Sequence, residues 1–419
     1  MMIFTSIYVV VDGFFVSNFA GKDQFAAVNL IMPFLMILGA VGAMLGTGGS
    51  ALIAKTLGEG KREKANSLFS LIIYTSIISG VVISVVSLIL LEDVARLLGG
   101  EGILLEYAVV YGRINLVALP FWMLQYGFQS LFVTAEKPQM GLYVTIGSGV
   151  TNMVLDALLV GLLQMGVVGA ALATAASQAV GGLFPLLYFA RKNTSLLRLG
   201  RAEMDIPALI KTSTNGSSEF LSNITMSLVS MLYNFQLMKY AGWDGLSAYG
   251  VMMYVGYFFI SVFIGYSVGS APVIGYHYGA GDRNELRNLR KKSLVLMLSS
   301  SVGMCILSLI LSYPMSKMFV GYDEALLEMT VRGFIIYSFC FLFAGVPIFI
   351  SSFFTALNDG FTSALLSFLR TVVFQVAAIL LLPLIFDLDG IWISVVAADI
   401  AAAAVAVTLL VLKRKKYGY

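Results

Sequence analysis

Gly48-Gly-Ser-Ala-Leu-Ile53-Ala-Lys-Thr-Leu-Gly58-Glu-Gly60-Lys-Arg62 returns 221 residues later, without a gap, as Gly269-Ser-Ala-Pro-Val-Ile274-Gly-Tyr-His-Tyr-Gly279-Ala-Gly281-Asp-Arg283. The register extends outward from this segment in both directions. Ala20, Gly21 and Asp23 recur as Ala241, Gly242 and Asp244; Gly112 recurs as Gly333, and Ser130 and Phe132 as Ser351 and Phe353. Thr134 and Ala135 recur as Thr355 and Ala356, and Gly169 as Gly390. Two copies of one unit in one chain mean a two-lobed architecture.

Composition fixes the solvent. Of 419 residues, 59% are hydrophobic and 12% charged, with a mean hydropathy of +0.90. That leaves too few charges to cover a water-soluble surface of this size, so the chain belongs in a bilayer. A net charge of +3, spread over loops, offers nothing to a nucleic-acid partner. Cys305 and Cys340 lie in apolar runs and read as packing residues rather than as a disulfide.

A spanning helix needs roughly 20 mainly apolar residues. Twelve stretches qualify, near residues 2–20, 26–54, 67–91, 104–134, 140–163, 167–190, 219–241, 246–278, 293–312, 326–356, 363–386 and 390–412. The fold class is therefore an all-α membrane protein of twelve transmembrane helices in two six-helix lobes. Lys and Arg collect in the loops of one side, from Lys55, Lys61, Arg62 and Lys64 through Arg283, Arg287 and Arg290 to the tail at 413–416. By the positive-inside rule both termini face the cytoplasm. Six spans per copy is an even number, so the copies share one topology and form a parallel repeat. The expected division is an amino-terminal lobe over 1–190, a basic cytoplasmic linker over 191–211 and a carboxy-terminal lobe over 212–419. Residues 207–221 have repeat partners that would precede Met1, so the first span is expected to start short.

Ionisable groups inside the membrane are costly and mark function by default. Asp12 stands in the first span within Val9-Val-Val-Asp-Gly-Phe-Phe, and Asp156 in the fifth within Thr151-Asn-Met-Val-Leu-Asp. Asn152 and Asp156 are four apart and share a helical face. Thr174 follows across the turn between Gly161 and Gly169. At about 1.5 Å per residue, Asp12 and Asp156 both lie roughly 10–12 Å from their outer helix ends. Two carboxylates, an amide carbonyl and a hydroxyl form an oxygen set suited to Na+, and the same set can carry a proton. At the repeat offset their partners are Tyr233, Val373, Ala377 and Val395, with no carboxylate among them. The competing reading is structural: Asp12 caps a break at Gly13 and Asp156 pairs with nearby backbone.

The stretch Val11-Asp12-Gly-Phe-Phe-Val16, the segment from Gly48 to Gly60, the Asn152-x-x-x-Asp156 pair and Pro272-Val-Ile-Gly-Tyr-His-Tyr-Gly-Ala-Gly281 resemble the multidrug and toxic compound extrusion (MATE) transporters, over nearly the full chain. The resemblance implies a twelve-helix exporter of the prokaryotic cytoplasmic membrane, bacterial or archaeal, that exchanges Na+ or H+ for organic cations or drugs by alternating access. It implies that Asp12, Asn152, Asp156 and Thr174 hold the coupling cation in the first lobe. No other cofactor is expected, and the chain is read as a monomer.

The second lobe has its own polar candidates. Asp399 and its repeat partner Gln178 keep that position polar in both copies, and Glu219 opens the seventh span. Substrate contact and plain helix packing both remain readings for Asp399, and for Met231, Tyr233 and Tyr257 among the aromatic and thioether side chains of the seventh and eighth spans. Arg113, Arg332 and Arg370 are expected to anchor helix ends by snorkelling, and Gly58-x-Gly60 and Gly279-x-Gly281 to cap helices. His277, the single histidine, reads as a backbone-positioning residue. No phosphate-binding loop, nucleophile motif or clustered His and Cys appears, so an enzyme is not expected. A lipid-linked oligosaccharide flippase and a non-transporting receptor are the alternatives; the flippase calls for basic residues lining a cavity, whereas here they lie in loops.

Overall fold

The computed structural model describes residues 4, 5, 15, 19, 20, 22–321 and 323–419, and its helices fall into two compact units, Met1–Phe220 and Leu221–Tyr419. The first unit contains α1 (Lys22–Gly58), α2 (Arg62–Leu97), α3 (Gly102–Thr134), α4 (Pro138–Leu155) and α5 (Gly166–Ala190). A π-helical segment, Asp156–Leu162, prolongs α4. Next comes α6 (Ile206–Gly279), broken at Gly242, where φ is 60°; the boundary between units falls inside it. The second unit continues with α7 (Arg283–Val320), α8 (Glu324–Ser338), α9 (Phe341–Ala356) and α10 (Gly360–Phe368). A π segment over Leu369–Phe374 leads to α11 (Gln375–Leu381), α12 (Pro383–Leu412) and the short α13 (Arg414–Tyr417).

Among the described residues nine helices are long and apolar enough to cross a bilayer, and a tenth span is the pair α8 and α9, bent by 45°. The expected first span lies almost wholly outside the described residues. The seventh is helical within α6 but is not among the nine, because Asn223, Asn234 and Gln236 make it more polar than its neighbours. The expected linker over 191–211 is irregular only to Asp205, since α6 begins at Ile206. It is also strapped down. Backbone N–H groups of Arg198, Gly200 and Glu203 donate to Asn66 Oδ1, Ser70 Oγ and Ser67 Oγ of α2, and Tyr74 Oη donates to the Gly200 carbonyl.

The helices are inside out relative to those of a water-soluble bundle. On α2 the buried face carries Ser76, Gly80, Ser84 and Ser87, while Ile78, Val82, Val85 and Ile89 are exposed. The repeat-related α7 buries Ser301, Cys305, Ser308 and Ser312 and exposes Val302, Ile306 and Ile310. Lipid is as apolar as leucine, so small and polar groups gain most by facing other helices, where they hydrogen-bond. Ser84 Oγ donates to the Leu116 carbonyl at 2.6 Å, and the Ser308 and Ser338 hydroxyls lie 2.6 Å apart. Where α1 crosses α3, the backbones touch: a Cβ on Gly42 would stand 2.4 Å from Met123 Cα, and one on Gly46 2.3 Å from Gly127 Cα.

The duplicated glycine motif forms the same cap twice. Gly60 and Gly281 adopt φ of 77° and 73°. Lys61 N–H reaches back to the Thr56 carbonyl at 3.1 Å, and Asp282 N–H to the His277 carbonyl at 3.0 Å, the six-to-one bond of a Schellman ending. His277 therefore contributes its backbone here, with its ring 3.6 Å from the Asp282 carboxylate.

At the basic end of the second unit the chain folds back on itself. Asp359 caps α10 and accepts hydrogen bonds at 2.7 Å from Thr362, Lys413 and Tyr417, while the Tyr419 ring is buried against Phe353. Burial pushes the Asp359 carboxyl up, but hydrogen bonds from Lys413, Tyr417 and Thr362 outweigh it and hold the group down, from 3.8 to about 2. A carboxylate so lowered stabilises the fold fully above its ordinary value and loses that contribution as pH falls toward about 2. Asp359→Asn is expected to lower the melting temperature of the detergent-solubilised protein by the equivalent of about 1–2 kcal/mol near neutral pH. The difference from wild type shrinks as the buffer is taken below pH ~4, a trend visible in acid melting curves.

Candidate functional site

The buried face of α4 is a stripe of small and polar residues: Gly141, Val144, Thr145, Ser148, Gly149 and Asn152, continued by Asp156 and Val160 on the π segment. Steps of three and four put them on one side of the helix. Asn152 is 2% exposed and Asp156 0%. The extra residue per turn of a π segment re-aims the side chains around it, and such segments recur at functional sites. Asp156 opens this one.

Helix α5 packs antiparallel against that stripe, and two contacts set the register. Ser148 Oγ donates to the Ser177 carbonyl at 2.7 Å, and a Cβ on Gly169 would stand 3.1 Å from Leu159. Counting one turn from the first contact brings Asn152 to the level of Thr174, with Asp156 a further turn along toward Gly169. The Oδ1 of Asn152, the Oγ1 of Thr174 and the Oε1 of Gln178 are buried and have no hydrogen-bond partner among the described residues. Leaving such an oxygen unsatisfied costs about 1–3 kcal/mol. Three of them on two facing helices beside a buried carboxylate are an acceptor set in want of a positive ion or a proton. Asp12, the other expected carboxylate, lies outside the described residues.

Polar groups of α3 that the sequence alone does not single out lead toward this stripe. Gln125 Nε2 of α3 donates to Ser148 Oγ at 2.9 Å. Gln125, Gln129 and Thr145 line a small cleft together with Phe128, Phe132 and Val144. The recurrence of Thr145, Ser148, Asn152 and Asp156 at helical spacing was the available signal.

In the second unit Asp399 is 3% exposed, and Arg370 Nε donates to its Oδ1 at 3.0 Å. Arg370 thus departs from the snorkelling expectation: it turns inward to a carboxylate. Arg332 forms an ion pair with Asp389, and Arg113 is exposed. Tyr233 hydroxyl bonds Ser394 at 2.8 Å, and its ring stacks on Tyr249, which stacks in turn on Trp392. Tyr233 is therefore part of a packed aromatic core. Met231 and Tyr257, 61% and 47% exposed, lie on the surface of this unit, whereas Glu219 falls in the first unit, half-buried.

A family model described as MatE matches residues 1–158 and 220–381 of this chain. The multidrug export protein MepA of Staphylococcus saprophyticus is 26% identical, over 98% of this chain and 90% of its own length. That of Staphylococcus haemolyticus is 24% identical over the same shares. A crystal structure of MATE in complex with MaL6 shares the fold, with a TM-score of 0.94 at 22% identity over 100% of this chain and 94% of that one. So does the outward-facing conformation of a multidrug resistance MATE family transporter of the MOP superfamily, also with a TM-score of 0.94, 22% identity and the same shares.

Proposed function

The chain belongs to the MatE family, and from that premise we propose that it is a secondary active exporter that moves organic, often cationic, compounds outward in exchange for Na+ or H+. The observation that carries the coupling part of this reading is the fully buried Asp156, on one face with Asn152 and one turn along from the level that Asn152 shares with the orphaned oxygen of Thr174. A carboxylate grouped with amide and hydroxyl oxygens away from water is an oxygen donor set that suits a small hard cation, and the same carboxylate can carry a proton. Asp12, Asn152, Asp156 and Thr174 form the proposed site, and the coupling ion is cargo rather than a resident group.

The protein sits in the cytoplasmic membrane of a bacterium or archaeon, with both termini inside, and works as a monomer. In alternating access, the cation loads from outside and prefers one conformation while the organic compound prefers the other; the gradient of the first then drives the second. The relatives named for multidrug export support a broad range of small organic substrates. Exposed aromatic and thioether side chains such as Tyr257 and Met231 suit flat cationic molecules.

The test is efflux of a fluorescent organic cation from proteoliposomes under separately imposed Na+ and pH gradients. Accelerated loss of dye under one of the two gradients is expected. Equal rates with and without both gradients, in vesicles that contain folded protein, would remove the exporter reading and leave the receptor alternative.

A further inference from the structure

Each repeat buries one carboxylate on its last two spans, yet the two are placed differently. In the first repeat it is Asp156, whose repeat partner is Ala377; in the second it is Asp399, whose partner is Gln178. Asp399 has a companion that the first repeat lacks at the same position. Arg370 lies 3.0 Å from it, and the repeat partner of Arg370 is Gly149, which has no side chain. Arg370 sits in the second π segment, Leu369–Phe374, so each repeat puts a charged residue in a π segment of its fifth span.

We propose that the Arg370 guanidinium is a tethered cation that permanently occupies the carboxylate of the second lobe, so that Asp399 takes no exchangeable monovalent cation. The geometry argues for this reading. The Arg370 side chain is 18% exposed and that of Asp399 only 4%, so neither is solvated as a surface ion is. The charged and titratable groups felt around Asp399 are Arg370, Tyr233, Tyr337 and Cys340, and Arg370 alone among them is a cation. A guanidinium stays protonated at every pH a cell meets, and its covalent stem prevents it from leaving. Na+ and H+ can do neither, which is why they serve as exchangeable ions elsewhere. The contact is one Nε–H···Oδ1 bond rather than the two-point fork that arginine makes with a carboxylate when geometry allows. Charge neutralisation therefore accounts for the pair better than shape recognition does. The inference extends the coupling reading by confining exchange to the first lobe, but its own test needs no transport.

The experiment compares melting temperatures of purified wild type, Arg370→Met, Arg370→Lys, Asp399→Asn and the double variant R370M/D399N. Each is measured in choline chloride, in NaCl, and at a pH lowered by two units. Arg370→Met bares the carboxylate, so its melting temperature is expected to fall and to recover by roughly 2–4 °C more than wild type on adding Na+ or on acidification. Recovery with NaCl identifies Na+ as the acquired ligand, and recovery on acidification alone identifies a proton. Arg370→Lys keeps the tether and should respond as wild type does. The double variant should melt above R370M and lose the added response.

If R370M cannot be recovered folded, the double variant decides. Its recovery supports a counter-ion, since both charges are then absent together; its failure beside a folded Asp399→Asn overturns the proposal, because Arg370 would be needed for packing. A folded R370M that responds to cations as wild type does overturns it as well. None of these readouts moves if the protein proves not to export dye, so the two readings fail independently.

Discussion

Asp156→Asn is expected to reduce gradient-driven efflux in proteoliposomes to the rate of protein-free vesicles, while the protein still inserts and folds. The substitution keeps shape and volume and removes the charge. Asp156 is wholly buried on the face it shares with Asn152. An amide there can still fill the space but can neither neutralise Na+ nor take up a proton from a carboxylate, so cation binding no longer distinguishes the two conformations. A ligand without differential affinity shifts nothing, and coupling is lost outright rather than by degrees. Folding should suffer little. Removing a charge from a low-dielectric interior relieves a desolvation cost of several kcal/mol, which offsets lost electrostatic contacts, so the variant should melt near wild type or above it. A variant that melts normally and still exports at the wild-type rate would end the assignment. Asn152→Ala and Thr174→Val should weaken coupling partially, visible as a higher Na+ or proton concentration for half-maximal efflux.

Gly46→Leu is expected to leave little folded protein. The Cα of Gly127 stands 2.3 Å from where a Cβ would begin, and neighbouring Gly42 is 2.4 Å from Met123 Cα. On its other side α1 meets the start of α6, where a Cβ on Gly48 would lie 1.9 Å from the Thr212 carbonyl oxygen. In every case the obstacle is backbone, which has no rotamer to change. The helices must separate, and close approach of small residues is what holds them together in lipid. The cost should exceed the ~1–3 kcal/mol usual for overpacking, which shows as loss of a monodisperse peak after solubilisation. Gly147→Leu on α4, where nothing lies within 4 Å, is the control. It should be neutral or mildly stabilising, since leucine is a better helix former than glycine. Equal yields for Gly46→Leu and Gly147→Leu would contradict this account of the packing.

The fold was largely legible because a bilayer imposes so few options. Apolar length and the spacing of the duplicated glycines suffice to order the helices, and the C-caps at Gly60 and Gly281 fall where the motif puts them. What escaped was long-range or phase-dependent. The bend between α8 and α9, near Phe339 and Cys340, lies inside one continuous apolar run and has no polar break to announce it. The two π segments shift the helical phase. Arg370 could therefore be read as sitting near a span end, when it turns instead toward Asp399, 29 residues on. The strapping of residues 198–203 onto α2 depends on hydrogen bonds from backbone amides, which carry no sequence signature. In the candidate site, the shared face of Asn152 and Asp156 followed from their spacing. The level of Thr174 had to wait for the Ser148 to Ser177 contact, because antiparallel register between two helices is set by such a tie and not by either sequence alone.

The fold-back of residues 413–419 bears on how this protein is handled. Tyr417 is bonded to Asp359 and Tyr419 is buried against Phe353, with Arg290 over its ring and its hydroxyl on the Leu410 carbonyl. An affinity handle or fluorescent reporter fused directly after Tyr419 would tug on this aromatic seal, and its readout would mix tag strain with the behaviour of the protein. A spacer of glycine and serine long enough to clear the seal keeps the two apart.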